Sequence, residues 1–145
     1  MVWIAAFNKD NPDHDKASAI LERIRLHDNR IIFTSDYVFN EIFGFITKNQ
    51  RHGNLTSTQR EAAIKKVMTN IYDSTTVSIE MVSEFIFGTA IQYLQNHSEI
   101  SASLTDWTIF LIATEEEIPI VASFDADFRK IVKLSEFSKI KIWDS

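Results

Sequence analysis

Ile118-Pro119-Ile120-Val121-Ala122-Ser123-Phe124-Asp125-Ala126-Asp127-Phe128 decides how this 145-residue chain is read. The apolar run from Pro119 to Ser123 has the length and residue types of a buried strand, and two aspartates follow it at once. Immediately upstream, Trp107, Ile109, Phe110, Leu111, Ile112 and Ala113 form a helix whose apolar residues point in nearly every direction, which predicts a central, buried helix. Ser103 or Thr105 caps its start, and Glu115-Glu116-Glu117 ends it. Downstream come a short helical segment around Phe128 to Val132 and a last strand, Ile140 to Trp143.

The same alternation runs through the first half. Val2 to Asn8 reads as a short apolar helix, closed by the turn Asp10-Asn11-Pro12-Asp13. Ala17, Ile20, Leu21 and Ile24 recur at helical spacing, with Glu22, Arg23 and Arg25 on the opposite side. Ile31 to Thr34 reads as a buried strand, leading through Ser35-Asp36 into a helix with Val38, Phe39, Ile42, Phe43, Phe45 and Ile46. After a loop around Gly53-Asn54, Thr58 and Glu61 have capping-box spacing ahead of Ile64, Val67, Met68 and Ile71. Thr75 to Ile79 alternates as a strand, and Phe85, Ile86, Ala90, Tyr93 and Leu94 form the next helical stripe. Strands alternating with helices predict a single α/β domain over residues 1–145 with a mostly parallel sheet, whose chemistry collects beyond the carboxyl ends of its strands.

Composition excludes several classes. Apolar residues make up 45% and charged residues 24%, which disfavours disorder, and three Gly with two Pro disfavour a turn-rich β-sandwich. With no Cys there is no disulfide scaffold, cysteine nucleophile or thiolate zinc site. The apolar stretches are too short to span a bilayer and the N-terminus lacks a signal peptide's basic region, so the expectation is a soluble, cytoplasmic protein with no membrane partner. A net charge of −5 argues against tight nonspecific binding to a nucleic-acid backbone. Between Val67 and Phe128 there are ten acids and no Lys or Arg, so those acids face water or bind a cation unless partners come from elsewhere in the fold.

Four of the acids follow strands or open helices. Glu41 borders the apolar stripe of its helix, Asp106 sits in the first turn of the buried helix, and Asp125 and Asp127 follow the Ile120–Ser123 strand. Each also has a plain structural explanation: a helix edge for Glu41, a dipole-favoured first-turn acid for Asp106, and turn chemistry for the pair. If they converge at one sheet edge, electrostatics narrows the choices. Two unit charges about 4 Å apart repel by roughly 4 kcal/mol at an effective dielectric near 20. A cation must intervene or a proton must bind. Oxygen ligands without His or Cys suit Mg²⁺ or Mn²⁺, and such an ion serves phosphodiester hydrolysis by activating water.

Thr34-Ser35-Asp36-Tyr37-Val38-Phe39-Asn40-Glu41, Leu104-Thr105-Asp106 and the Ile118–Phe128 stretch resemble the successive acidic motifs of PIN domains, above all the VapC-type toxins of bacterial and archaeal toxin–antitoxin pairs. The ordered set carries the likeness over essentially the whole chain, no single motif being specific. The resemblance implies a three-layer α/β/α sandwich with a central parallel sheet, and Mg²⁺- or Mn²⁺-dependent endoribonuclease activity. It places Glu41, Asp106 and Asp125 at the second, third and fourth acidic positions as catalytic metal ligands, with Asp127 as an auxiliary acid. It further implies an RNA substrate, an antitoxin partner and a homodimer. The family's first acidic position has no counterpart. Met1-Val2-Trp3-Ile4-Ala5-Ala6-Phe7-Asn8 reads as the first helix already under way, so the first strand and its Asp are expected just before residue 1. A substitute segment in that slot, or a degenerate member, are the other two explanations.

Lys48 and Arg51 lie in the most basic stretch, Ile42–Tyr72, and with Arg129 and Lys130 they are candidates for RNA-backbone contacts, against the plainer reading of solvated helix faces. The four His are scattered and there is no phosphate-cradling Gly-rich loop or nucleophile elbow. Trp3, Phe7, Phe39, Phe43, Phe85 and Trp107 read as core or interface. Two rivals to the nuclease remain: a catalytically inactive PIN-like module binding RNA or antitoxin, and a plain α/β interaction domain with its acids on different faces.

Overall fold

A computed structural model describes residues 2–26, 31–48 and 55–144. The chain divides into two compact units, Ile24–Met81 and the combination of Met1–Arg23 with Val82–Ser145.

In the first of these, strands β1 (Ile32–Ser35) and β2 (Val77–Glu80) pair in parallel, with Ile32 opposite Val77 and Ser35 opposite Glu80. A parallel pair needs a long crossover. Helices α3 (Asp36–Lys48) and α4 (Ser57–Val67) and a π-helical turn, Met68–Tyr72, lie between the two strands in sequence. The Ser35 hydroxyl accepts the Val38 amide at 3.3 Å, so the serine that closes β1 also starts α3, as its sequence suggested. α3 buries Val38, Phe39, Ile42 and Ile46. The cap of α4 differs from expectation. Thr56 accepts the Gln59 amide and the Gln59 side chain accepts the Thr56 amide, so the capping box lies two residues before Thr58 and Glu61. The loop expected around Gly53-Asn54, and Arg51, lie outside the described residues.

The other unit begins with α1 (Val2–Phe7) and the start of α2 (His14–Leu26), and the His14 ring donates from Nδ1 to the Ala5 carbonyl at 2.9 Å. Val2, Ala5 and Ala17 are buried together there. Then follow α5 (Glu84–Asn96), α6 (Leu104–Glu115), β3 (Ile120–Ala122), α7 (Phe128–Ile131), a 3-10 turn at Ser135–Phe137, and β4 (Lys141–Trp143). β3 and β4 are parallel, with Ile120 opposite Lys141 and Ala122 opposite Trp143. Parallel pairing was expected; the ladders among the described residues are two separate pairs rather than one continuous sheet.

α6 is the axis of this unit. Trp107, Thr108 and Phe110 are completely buried, and Phe110 meets Phe128 and Phe137 with ring centroids 5.1 and 5.5 Å apart. Tyr93 of α5 stacks on Trp107 at 5.2 Å. The apolar residues of α5 are not all buried. Ile86, Ala90 and Tyr93 turn inward, but Phe85 is 77% exposed and Leu94 is exposed as well, because a helix packed along one narrow line cannot bury residues on both flanks of it.

The acidic end of α6 is a strained cap. Glu117 has φ 53°, the Ile118 amide donates to the Ala113 carbonyl at 2.7 Å, and the Glu117 amide donates to the Thr114 carbonyl at 3.3 Å. That pair of bonds normally places glycine at the left-handed position, because any Cβ there crowds the backbone. The strain is confined to the junction between α6 and β3. Glu117→Gly is expected to stabilise the protein by about 0.5–1 kcal/mol, the relief of strain exceeding the added freedom of the unfolded chain; urea unfolding measures it.

Candidate metal centre

Asp106 is held by the start of α6. Ser103, the N-cap, accepts the Asp106 amide on its hydroxyl at 3.2 Å, which decides between Ser103 and Thr105. In return Asp106 Oδ2 accepts both the Ser103 amide at 2.7 Å and the Ser103 hydroxyl at 2.8 Å. The helix-start explanation is therefore part of the truth. It does not explain why the side chain is drawn inward, since a capping carboxylate works as well in water.

Asp125 stands at the exit of β3. Buried Ser123 accepts the Asp125 amide at 3.1 Å, and Asp125 Oδ1 accepts the Asp127 amide at 2.8 Å. These short polar bonds turn the chain sharply between β3 and α7. Asp125 itself is exposed and Asp127 is half-buried.

Burial and charge distinguish Asp106 from its neighbours. Three of the ten acids between Val67 and Phe128 are half-buried: Glu80, Asp106 and Asp127. Glu80 accepts the Ser78 hydroxyl, and Asp127 pairs with Lys130. Asp106 has the Ser103 donors, yet its pKa is raised above the ordinary aspartate value, first by loss of hydration and further by the negative charge of Asp125. A desolvated carboxylate beside a second carboxylate is the arrangement a dication relieves. Each acid also keeps one oxygen uncommitted: among the described residues Asp106 Oδ1 and Asp125 Oδ2 make no hydrogen bond.

The remaining expected site residues fall as follows. Glu41 is half-buried on α3, in the other unit. Asp127 is engaged through Oδ1 with Lys130, and Arg129 pairs with Asp144. Lys48 is exposed at the last turn of α3, and Arg51 lies outside the described residues. No group of three or more His, Cys, Asp or Glu side chains gathers into a metal-holding cluster among the described residues. The two pairings made by Arg129 and Lys130 were not foreseen. The i,i+3 spacing of Asp127 and Lys130 on a helix start was the available signal; Asp144, fifteen residues from Arg129, left none. No described helix is long and apolar enough to cross a membrane.

A parallel α/β architecture with acids at the carboxyl end of β3 and the start of α6 defines a class of protein, and sequence comparison names it. Residues 1–134 match the PIN domain family, and the chain belongs to that family of nuclease type, whose fold is a three-layer α/β/α sandwich. Among solved structures it is similar to the crystal structure of Mycobacterium tuberculosis VapC20, a sarcin-ricin loop cleaving toxin, with 24% identity and a TM-score of 0.69 over 90% of this chain and 89% of that one. A search of curated proteins found no match.

The raised pKa has a consequence for stability. Between the ordinary aspartate pKa and the higher native one, the folded protein holds a proton that the unfolded chain has lost, so stability falls as pH rises through that range. Ionised Asp106 therefore opposes folding at neutral pH. Asp106→Asn, which keeps an acceptor for the Ser103 amide, is expected to raise Tm at pH 7 by about 2 °C. The gain should vanish below about pH 3.5, where both forms are neutral. Thermal melts across pH in metal-free buffer check it.

Proposed function

We propose that this protein is a divalent-metal-dependent endoribonuclease of the PIN/VapC toxin type, hydrolysing RNA phosphodiester bonds. The observation that carries the reading is the half-buried Asp106 carboxylate lying within the field of Asp125 in a PIN-family chain. Asp106 and Asp125 would hold Mg²⁺ or Mn²⁺ through their uncommitted oxygens, with Glu41 as the third catalytic carboxylate and Asp127 assisting. An all-oxygen, anionic donor set fits a hard dication and not a thiophilic one. When bound, such an ion lowers the pKa of water and offsets charge on the phosphate.

The chain's own residues supply the rest. Ser103 and Ser123 hold the two acidic segments, and burial around α6 keeps the Asp106 side poorly hydrated. Lys48, Arg51, Arg129 and Lys130 would contact the RNA backbone. The Arg129–Asp144 and Lys130–Asp127 pairs have solvent-exposed cations, so exchanging a carboxylate for a phosphate is inexpensive. An antitoxin protein and a second copy of the chain are the partners proposed by analogy with VapC toxins.

Purified protein given RNA and Mn²⁺ tests this. Cleavage is expected in the parent and a loss of more than about a hundredfold in Asp106→Asn and Asp125→Asn, since even partners of metal ligands are worth ten- to a hundredfold. Cleavage by Asp106→Asn at the parent rate would overturn the mechanism. A folded parent that neither binds Mn²⁺ nor cuts RNA would favour the inactive binding module.

A further inference from the structure

The two bonds from Ser103 to Asp106 do more than start a helix. Both its amide and its hydroxyl donate to the same atom, Oδ2, at 2.7 and 2.8 Å. An aspartate has two side-chain torsions and a planar carboxylate, so fixing Oδ2 against two donors three residues away also fixes where Oδ1 stands. The Ser103 hydroxyl is itself held in register, because it accepts the Asp106 amide at 3.2 Å while donating to the carboxylate. Asp125 shows the same division of labour, with Oδ1 taken by the Asp127 amide and Oδ2 left over among the described residues.

We propose that Ser103 is a positioning residue for the metal-binding carboxylate: it locks Asp106 Oδ2 so that Oδ1 alone is offered to the cation. This rests on the metal reading above and goes beyond it by assigning a role to a residue outside the acidic set. Mg²⁺ and Mn²⁺ sites are strict about ligand direction, and a carboxylate free to rotate would lose affinity through disorder or by switching to two-oxygen binding. The two donors also spread the Oδ2 charge, which eases the approach of Asp106 to Asp125 before any cation arrives.

Helix capping and positioning separate experimentally, because glycine is nearly as good an N-cap as serine but has no hydroxyl. Mn²⁺ titration calorimetry and metal-free thermal melts are run on the parent, Ser103→Gly, Ser103→Thr and Asp106→Asn. The expected result is a roughly tenfold or greater loss of Mn²⁺ affinity in Ser103→Gly with Tm nearly unchanged, and recovery to near the parent affinity in Ser103→Thr. Parent-like affinity in Ser103→Gly, with binding lost in Asp106→Asn, would overturn the positioning role while leaving the metal reading intact. A loss in Ser103→Gly that tracks a fall in Tm and is not recovered by threonine would also overturn it. Absence of Mn²⁺ binding in the folded parent would remove both.

Discussion

Placing one carboxylate in partly dehydrated surroundings, within the electrostatic field of a second, is the constraint around which the larger unit is arranged. Asp106 is incompletely compensated: water is reduced and Asp125 repels it, while among the described residues the amide and hydroxyl of Ser103 donate to it. A chain selected for stability alone would place a neutral residue there. Retaining the acid makes sense where the cost is recovered when a dication binds, the usual exchange between stability and function.

Such a group has to be held rigidly, and α6 provides that. The helix is surrounded by Tyr93, Phe128, Phe137 and Ile140, with Phe110 and Trp107 fully enclosed. With its middle enclosed, α6 anchors the backbone from which Asp106 projects, and the bonds from Ser103 orient the side chain. β3 is clamped differently, by its parallel ladder to β4, which continues to the bond from the Ser123 amide to the Trp143 carbonyl. Ser123 then turns the chain into Asp125. Two rigid elements of unlike type thus deliver two acids, and the turn through Glu117 that joins them accepts backbone strain to do so.

Much of this was legible in the sequence because the strongest signals were of one kind. The all-round apolar character of α6 marked a buried helix, and the run ending at Ser123 marked a strand with acids at its exit. Local chemistry was harder where two answers matched one pattern. Thr56/Gln59 and Thr58/Glu61 both satisfy capping-box spacing, and only the packed helix picks the earlier pair. Ser103 and Thr105 were equally eligible caps until Asp106 was seen to close the box. Periodicity puts Phe85 and Leu94 on the apolar stripe of α5 without giving the width of its buried line, and both are exposed. Pairings distant in sequence, such as Arg129 with Asp144, leave no local trace at all.

The central claim is that separated acids share one divalent ion, and paramagnetic broadening by Mn²⁺ addresses it without relying on catalysis. Substoichiometric Mn²⁺ added to ¹⁵N-labelled protein should erase the amide signals around Asp106 and Asp125 together, at one occupancy. Broadening centred on Glu115–Glu117 or scattered among exposed acids, with the Asp106 and Asp125 signals intact, would contradict it.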